Sequence, residues 1–308
     1  GGLIRGLYKG RVGDCPDELE TVLKKVKRDK AYPYDNLLPC FLCALLPLVF
    51  GASIGPAAGL TGINVGLCYW VRDHRNAARQ QLADLPTLGI SAALGVVFGS
   101  PLFGLAVPLE EPADGARDTV LPRAAKLVSN VAAVLAAFGV FWGLNQLFGG
   151  SMGLPRVDGP DITSAERLWG IPLALLGVAF GYLYLLFERL THRFFTALQG
   201  TFPLVVSTTL TETYLNYAPW VLILTGGVKL FLTNVCIQSG WRGGHFFPVI
   251  FCGVSIGCGV AMLSGLNEAF RLGVITAGLL GVILRRPLAV TLLLLLCFPV
   301  RVIPWLMA

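Results

Sequence analysis

Charge-free stretches long enough to cross a bilayer alternate along this chain with short polar, mostly basic segments. Residues 36–71, 85–109, 127–155, 168–187 and 243–267 contain no Asp, Glu, Lys or Arg. A spanning helix needs about 20 apolar residues, so most of these runs can cross, and the first has room for two segments. The runs at 272–284 and 287–300 fall short of a full span and point to partial, tilted helices. The pattern predicts helical segments at 36–70, 85–111, 124–148 and 168–198, then at 204–215, 220–237, 245–263, 271–284 and 287–306. Residues 1–12 read as the tail of a membrane helix, 13–34 as a charged loop with a short helix, and 149–166 as a Gly/Pro/Asp-rich linker.

Two apolar stretches are broken, at Gly51-Ala52-Ser53-Ile54-Gly55-Pro56 and at Gly243-Gly244-His245-Phe246-Phe247-Pro248. Lipid offers no partner to a loose backbone, so such a break survives only where protein or a water-filled site satisfies the freed groups. One break in each half is a pointer to a binding site near the membrane midplane. A helix starting near Gly55 or Pro56 leaves its first N–H groups aimed into the break. The helix dipole adds about half a positive charge there, which suits an anion. Proline in the first turn costs nothing, because its missing N–H would be unpaired anyway. The same argument applies at residues 245–248, where Gly243 and Gly244 permit close approach. A third interruption, Gly99-Ser100-Pro101, divides the run at 85–111.

Composition agrees. The 308 residues are 55% hydrophobic and 14% charged, with a mean hydropathy of +0.69; soluble domains average about 25% charged. The chain therefore reads as an all-α, multi-pass protein of the cell membrane, in contact with lipid. Its net charge of +6 comes from basic clusters between the apolar runs, such as Arg72, Arg75 and Arg79. Such clusters normally mark cytoplasmic loops, and no aromatic interleaving or zinc spacing argues for nucleic acid. Close helix packing in lipid accounts for most of the 37 glycines. Most of the eight cysteines lie in apolar runs, where the residue behaves as a small hydrophobe. Cys40 and Cys43 have no second pair or histidine beside them, so no metal and no cofactor is expected. Gly51-Ala52-Ser53-Ile54-Gly55 satisfies the G-x-S-x-G pattern of serine hydrolases, but that elbow needs a preceding strand and positioned partners. Both flanks here read as membrane helix, so no catalytic residues and no enzyme are expected. No charged-then-apolar leader opens the chain, which begins Gly1-Gly2-Leu3.

Four motifs, in order, resemble the ClC chloride channel and transporter family over nearly the whole chain. Gly243–Pro248 is similar to its anion-binding Gly-Gly-x-Phe-x-Pro signature. Phe98-Gly99-Ser100-Pro101-Leu102-Phe103-Gly104-Leu105 through Glu110-Glu111 resembles its Phe-Asn-x-Pro-Leu-x-Gly…Glu-Glu helix. The break at 51–56 occupies the place of its Gly-Arg/Lys-Glu-Gly-Pro signature. Arg286-Pro287-Leu288 resembles its late Ala-Pro-Leu segment. The resemblance implies one membrane domain over 1–308, built of two inverted-topology halves (1–150 and 165–308). It also implies a homodimer, for which helices near 124–148 and 272–296 are candidate interfaces. It further leads us to expect that N-terminal helices, a helix near 200 and the C-terminal helix with the family's central tyrosine are missing from this sequence.

The departures set the functional expectation. The family's gating glutamate falls on Ile54, which cannot ionise. The serine of its first anion-binding loop falls on Gly13, beside Asp14, in Val12-Gly13-Asp14-Cys15-Pro16. Its inner proton-relay glutamate falls on Glu111, which a solvated helix end would equally explain. The expected anion ligands are at Gly13, Ile54, Gly55, His245 and Phe246, chiefly through backbone N–H groups. His245 could also lend its imidazole or simply bond a backbone carbonyl. The expectation is passive movement of a small anion, chloride foremost. The alternatives are a proton-coupled or fluoride transporter and a non-conducting scaffold.

Overall fold

The first apolar run ends as helix α1 (Leu37–Val49) and resumes as α2 (Ala57–His74), so its glycine- and proline-rich centre divides two helices. This computed structural model describes residues 21, 22, 25, 26, 28, 32–49, 54, 55, 57–74, 85–109, 123–149, 167–197, 218–239, 241, 243–264 and 268–298. The second run is likewise divided, into α3 (Leu85–Phe98) and α4 (Pro101–Leu109). There follow α5 (Arg123–Phe148), α6 (Gly170–Ala197), α7 (Pro219–Gln238), α8 (Phe246–Ser264), α9 (Glu268–Leu284) and α10 (Pro287–Cys297). Among the described residues no strand forms, and the architecture is all-α. The expected segments at 1–12 and 204–215 lie outside the described residues.

The α3–α4 break shows how three residues redirect a chain inside a membrane. Gly99 takes φ +67°, a left-handed conformation that costs glycine nothing. It closes α3 with two bonds, Gly99 N–H to the Val96 carbonyl (3.0 Å) and Ser100 N–H to the Gly95 carbonyl (2.8 Å). These are the paired bonds of a Schellman end. Ser100 then caps α4: its Oγ accepts from the Phe103 N–H at 3.3 Å, the third residue of the new helix. Pro101 fills the first helical position. Stop, cap and start are consecutive.

Helix α6 packs on α9, α9 on α8, and α8 on α7; α3 packs on α2, α4 and α5, and α4 meets α10 across the molecule. Lipid tails are as apolar as leucine, so close backbone approach rather than exclusion of water drives such pairing. Small residues supply it. A Cβ on Gly278 of α9 would stand 2.6 Å from the Ala174 carbonyl oxygen of α6, and Gly177 of α6 faces the Ile275 carbonyl in return. Arg271 of α9 is fully buried. Its Nη1 donates to the Ala261 carbonyl (2.7 Å), the Val260 carbonyl (3.2 Å) and Ser264 Oγ (2.8 Å). A cation thus closes the carbonyl end of α8, where the helix dipole is negative.

Among the described residues, four stretches are long and apolar enough to span a bilayer: Leu127–Phe148, Gly170–Thr196, Pro219–Gln238 and Phe246–Ser264. Leu37–Val49, Leu85–Phe98 and Ala269–Leu284 are shorter apolar helices; the first two are set by breaks in long runs, and the third matches the short run at 272–284. The two candidate interface helices differ. On α9, Leu272, Val274, Ile275, Leu279 and Leu280 are buried within the subunit, already packed on α6 and α8. That removes most of 272–284 as a surface for a second copy. On α5, Val128, Leu135, Val140, Trp142 and Leu147 are exposed.

Candidate functional site

The two glycine–proline breaks meet. Gly55 N–H donates to the Gly244 carbonyl at 2.6 Å, and Gly244 N–H donates to the Gly55 carbonyl at 2.7 Å. This reciprocal pair is an isolated antiparallel bridge. It ties the entry to α2 directly to the segment that starts α8. Both residues are glycine for a reason of space: a Cβ on Gly55 would stand 3.2 Å from the Gly244 carbonyl oxygen and 3.1 Å from the Phe247 ring.

Ile54 lies beside this bridge and is buried at 5% exposure. It belongs to a small apolar cluster with Cys236 and Trp241, against which Leu46 and Ile237 pack. A Cβ on Gly243 would come within 2.7 Å of Ile54 Cδ1, so the side chain lies directly on the Gly243 backbone. Helix α8 opens at Phe246, and its fourth residue, Val249, donates to the His245 carbonyl at 3.0 Å. Its first turn therefore points its N–H groups and the positive end of its dipole toward the bridge.

Aromatic rings fix that helix start. Phe98 stacks on Phe247 at 5.0 Å and 9°. It also meets Phe246 at 5.4 Å and Phe103 edge-on at 4.9 Å. Each such pair contributes about 0.5–1.5 kcal/mol beyond the area it covers. The Gly99 break places Phe98 and Phe103 on one side of the cluster, and residues 246 and 247 form the other. The His245 ring stacks on Phe246 at 5.1 Å and 11°, with Tyr184 of α6 at 6.2 Å.

The expected site residues thus divide. Ile54, Gly55, His245 and Phe246 come together across the bridge. In this conformation the Gly55 N–H, expected to face an anion, is engaged by Gly244. Gly13 and Glu111 lie outside the described residues. The G-x-S-x-G match is preceded by helix α1, where a nucleophile elbow requires a strand.

Two residues passed over in the sequence stand out here. Trp241, just ahead of Gly243, fills the cluster around Ile54. Lys229 of α7 is buried, with its Nζ 4.3 Å from the Phe251 ring centroid, a cation–π geometry. It was legible as the single charge in the run at 218–237, since an ionisable group inside a span is a functional candidate by default.

The profile of the family described as Voltage gated chloride channel matches residues 1–308. The chain belongs to this family. It is an integral, multi-pass membrane protein with the ClC fold. The H(+)/Cl(-) exchange transporter ClcA of Vibrio cholerae serotype O1 (strain ATCC 39541 / Classical Ogawa 395 / O395) is 26% identical over 205 residues. That match covers 59% of this chain and 43% of the relative, so the chain spans less than half the length of the curated relatives it matches. Among solved structures, a slow cyanobacterial Cl-/H+ antiporter superposes with a TM-score of 0.71 at 18% identity, covering 99% of this chain and 81% of that one. A CLC-type fluoride/proton antiporter gives 0.70 at 17%, with the same coverage. At such identities the structural likeness establishes the ClC fold alone.

Proposed function

We propose that this chain moves a small anion, chloride foremost, across a membrane without obligatory proton exchange. One observation carries the reading. The N-terminus of α8 is held against the first break by the Gly55–Gly244 bridge, and the residue at the bridge is a buried isoleucine. Backbone N–H groups of Ile54, His245 and Phe246 serve as ligands, and Gly55 adds its own when the bridge parts. By the family motifs, Gly13 stands where the anion-coordinating serine would, without its hydroxyl, and Glu111 stands at the inner proton-relay position, which an uncoupled anion flux does not use. An aliphatic side chain at position 54 neither competes with the anion nor carries a proton, so the two fluxes are uncoupled. The protein works as a homodimer, joined through the exposed apolar face of α5.

Proteoliposomes holding a chloride gradient test this. The expected result is chloride flux that collapses with the electrical gradient and takes up no protons. Proton uptake in fixed ratio to chloride would overturn it, and would favour the exchange reading that the names of the relatives support. A non-conducting scaffold has its own support in the bridge itself, which closes the two breaks on each other; absence of flux for chloride and fluoride alike would select it.

A further inference from the structure

Trp241 lies in the short connection between α7 and α8, two residues before Gly243. Its side chain is fully buried, and its backbone N–H donates to the Cys236 carbonyl at 3.1 Å, fastening it to the end of α7. The indole Nε1, by contrast, has no hydrogen-bond partner among the described residues. An indole nitrogen is a donor only, and a buried tryptophan ordinarily finds an acceptor for it. A buried donor that the protein leaves unmatched is met by water or by a ligand.

The surroundings favour a ligand. Ile54, Cys236, Leu46 and Ile237 line the cluster, whereas a buried water needs two to four polar partners that include acceptors. The nearby helix start of α8 offers N–H donors and a positive dipole end. The Cys236, Gly55, Gly244 and His245 carbonyls nearby are each already bonded by a backbone N–H, so the indole N–H and the free N–H groups of the helix start together suit an anion.

We propose that the Trp241 indole N–H is a side-chain donor to the permeant anion. It acts beside the backbone donors of α8, where the resemblance places Gly13 in lieu of a serine hydroxyl. This rests on the transport reading above and assigns that site a specific neutral donor. Trp241→Phe removes the N–H and keeps an apolar ring. In proteoliposomes its half-saturating chloride concentration rises about tenfold, the worth of one hydrogen bond to a charged group. An unchanged half-saturating concentration overturns the assignment.

A second measurement separates this inference from the transport reading. The protein in detergent, with 15N-labelled tryptophan, is titrated with sodium chloride against sodium gluconate. The Trp241 indole resonance is identified by substituting the other five tryptophans one at a time. A saturable shift of that resonance with chloride, absent with gluconate, supports the donor role even if no flux is found or if W241F does not fold. A resonance that ignores chloride overturns it, whatever the flux.

Discussion

Ile54 sits where two chain breaks touch, on the Gly243 backbone and against the Trp241 ring. Its burial explains why the site needs no charged side chain to stay formed: the cluster is apolar, and the bridge satisfies the glycine backbone. Introducing a carboxylate there should create a switch. In Ile54→Glu, the ionised carboxylate competes with the anion for the same N–H groups at neutral pH. The protonated acid at low pH does not compete, so flux should rise as pH falls. Wild type and Ile54→Glu are compared in proteoliposomes at pH 4.5 and 7.5; an equal response to pH in both would remove residue 54 from the pathway. Lys229 contributes differently, as a buried cation stacked on Phe251 one and a half turns into α8. Both side chains belong to the neighbourhood of one helix start.

That start is held by elements on every side. The Phe98 ring fixes it from α3, the Gly55 bridge from α2, and Arg271 closes the opposite end of α8 from α9. Helix α9 in turn is positioned by its contact with α6, where Gly278 meets the Ala174 carbonyl. Gly278→Ala forces a methyl group against backbone, which cannot rotate away. The expected loss is about 1–3 kcal/mol, read as a lower midpoint for thermal unfolding in detergent. Gly281→Ala on the same helix has nothing within 4 Å of the new methyl group and should leave that midpoint unchanged or slightly raised. Equal effects of the two would show that the α6–α9 approach does not limit stability.

At the scale of the molecule, the apolar surface of α5 is the feature a lone subunit does not use. Leu135 is 60% exposed on it, and a lysine there is expensive whether it faces lipid or a second copy. If α5 joins two subunits, Leu135→Lys should shift the purified protein from dimer toward monomer on chemical cross-linking. Leu175, 62% exposed on α6, is the control. Its lysine variant should remain as dimeric as the wild type, and loss of dimer in both or in neither would set α5 aside. Much of this was legible in the sequence. Among the described residues, the apolar runs matched the helices within a few residues, because in lipid only a helix satisfies a lone backbone segment. Gly99-Ser100-Pro101 and the two larger breaks were readable because stop, cap and start each require a particular residue type. Three things came only from the tertiary structure: that the breaks at Gly55 and Gly244 bond each other, that Ile54 lies on Gly243 and Trp241, and that α9 is interior while α5 is exposed. Each is a contact between residues far apart in the chain. Local periodicity reports which face of a helix is apolar, but in a membrane nearly every face is, so only packing decides what that face meets.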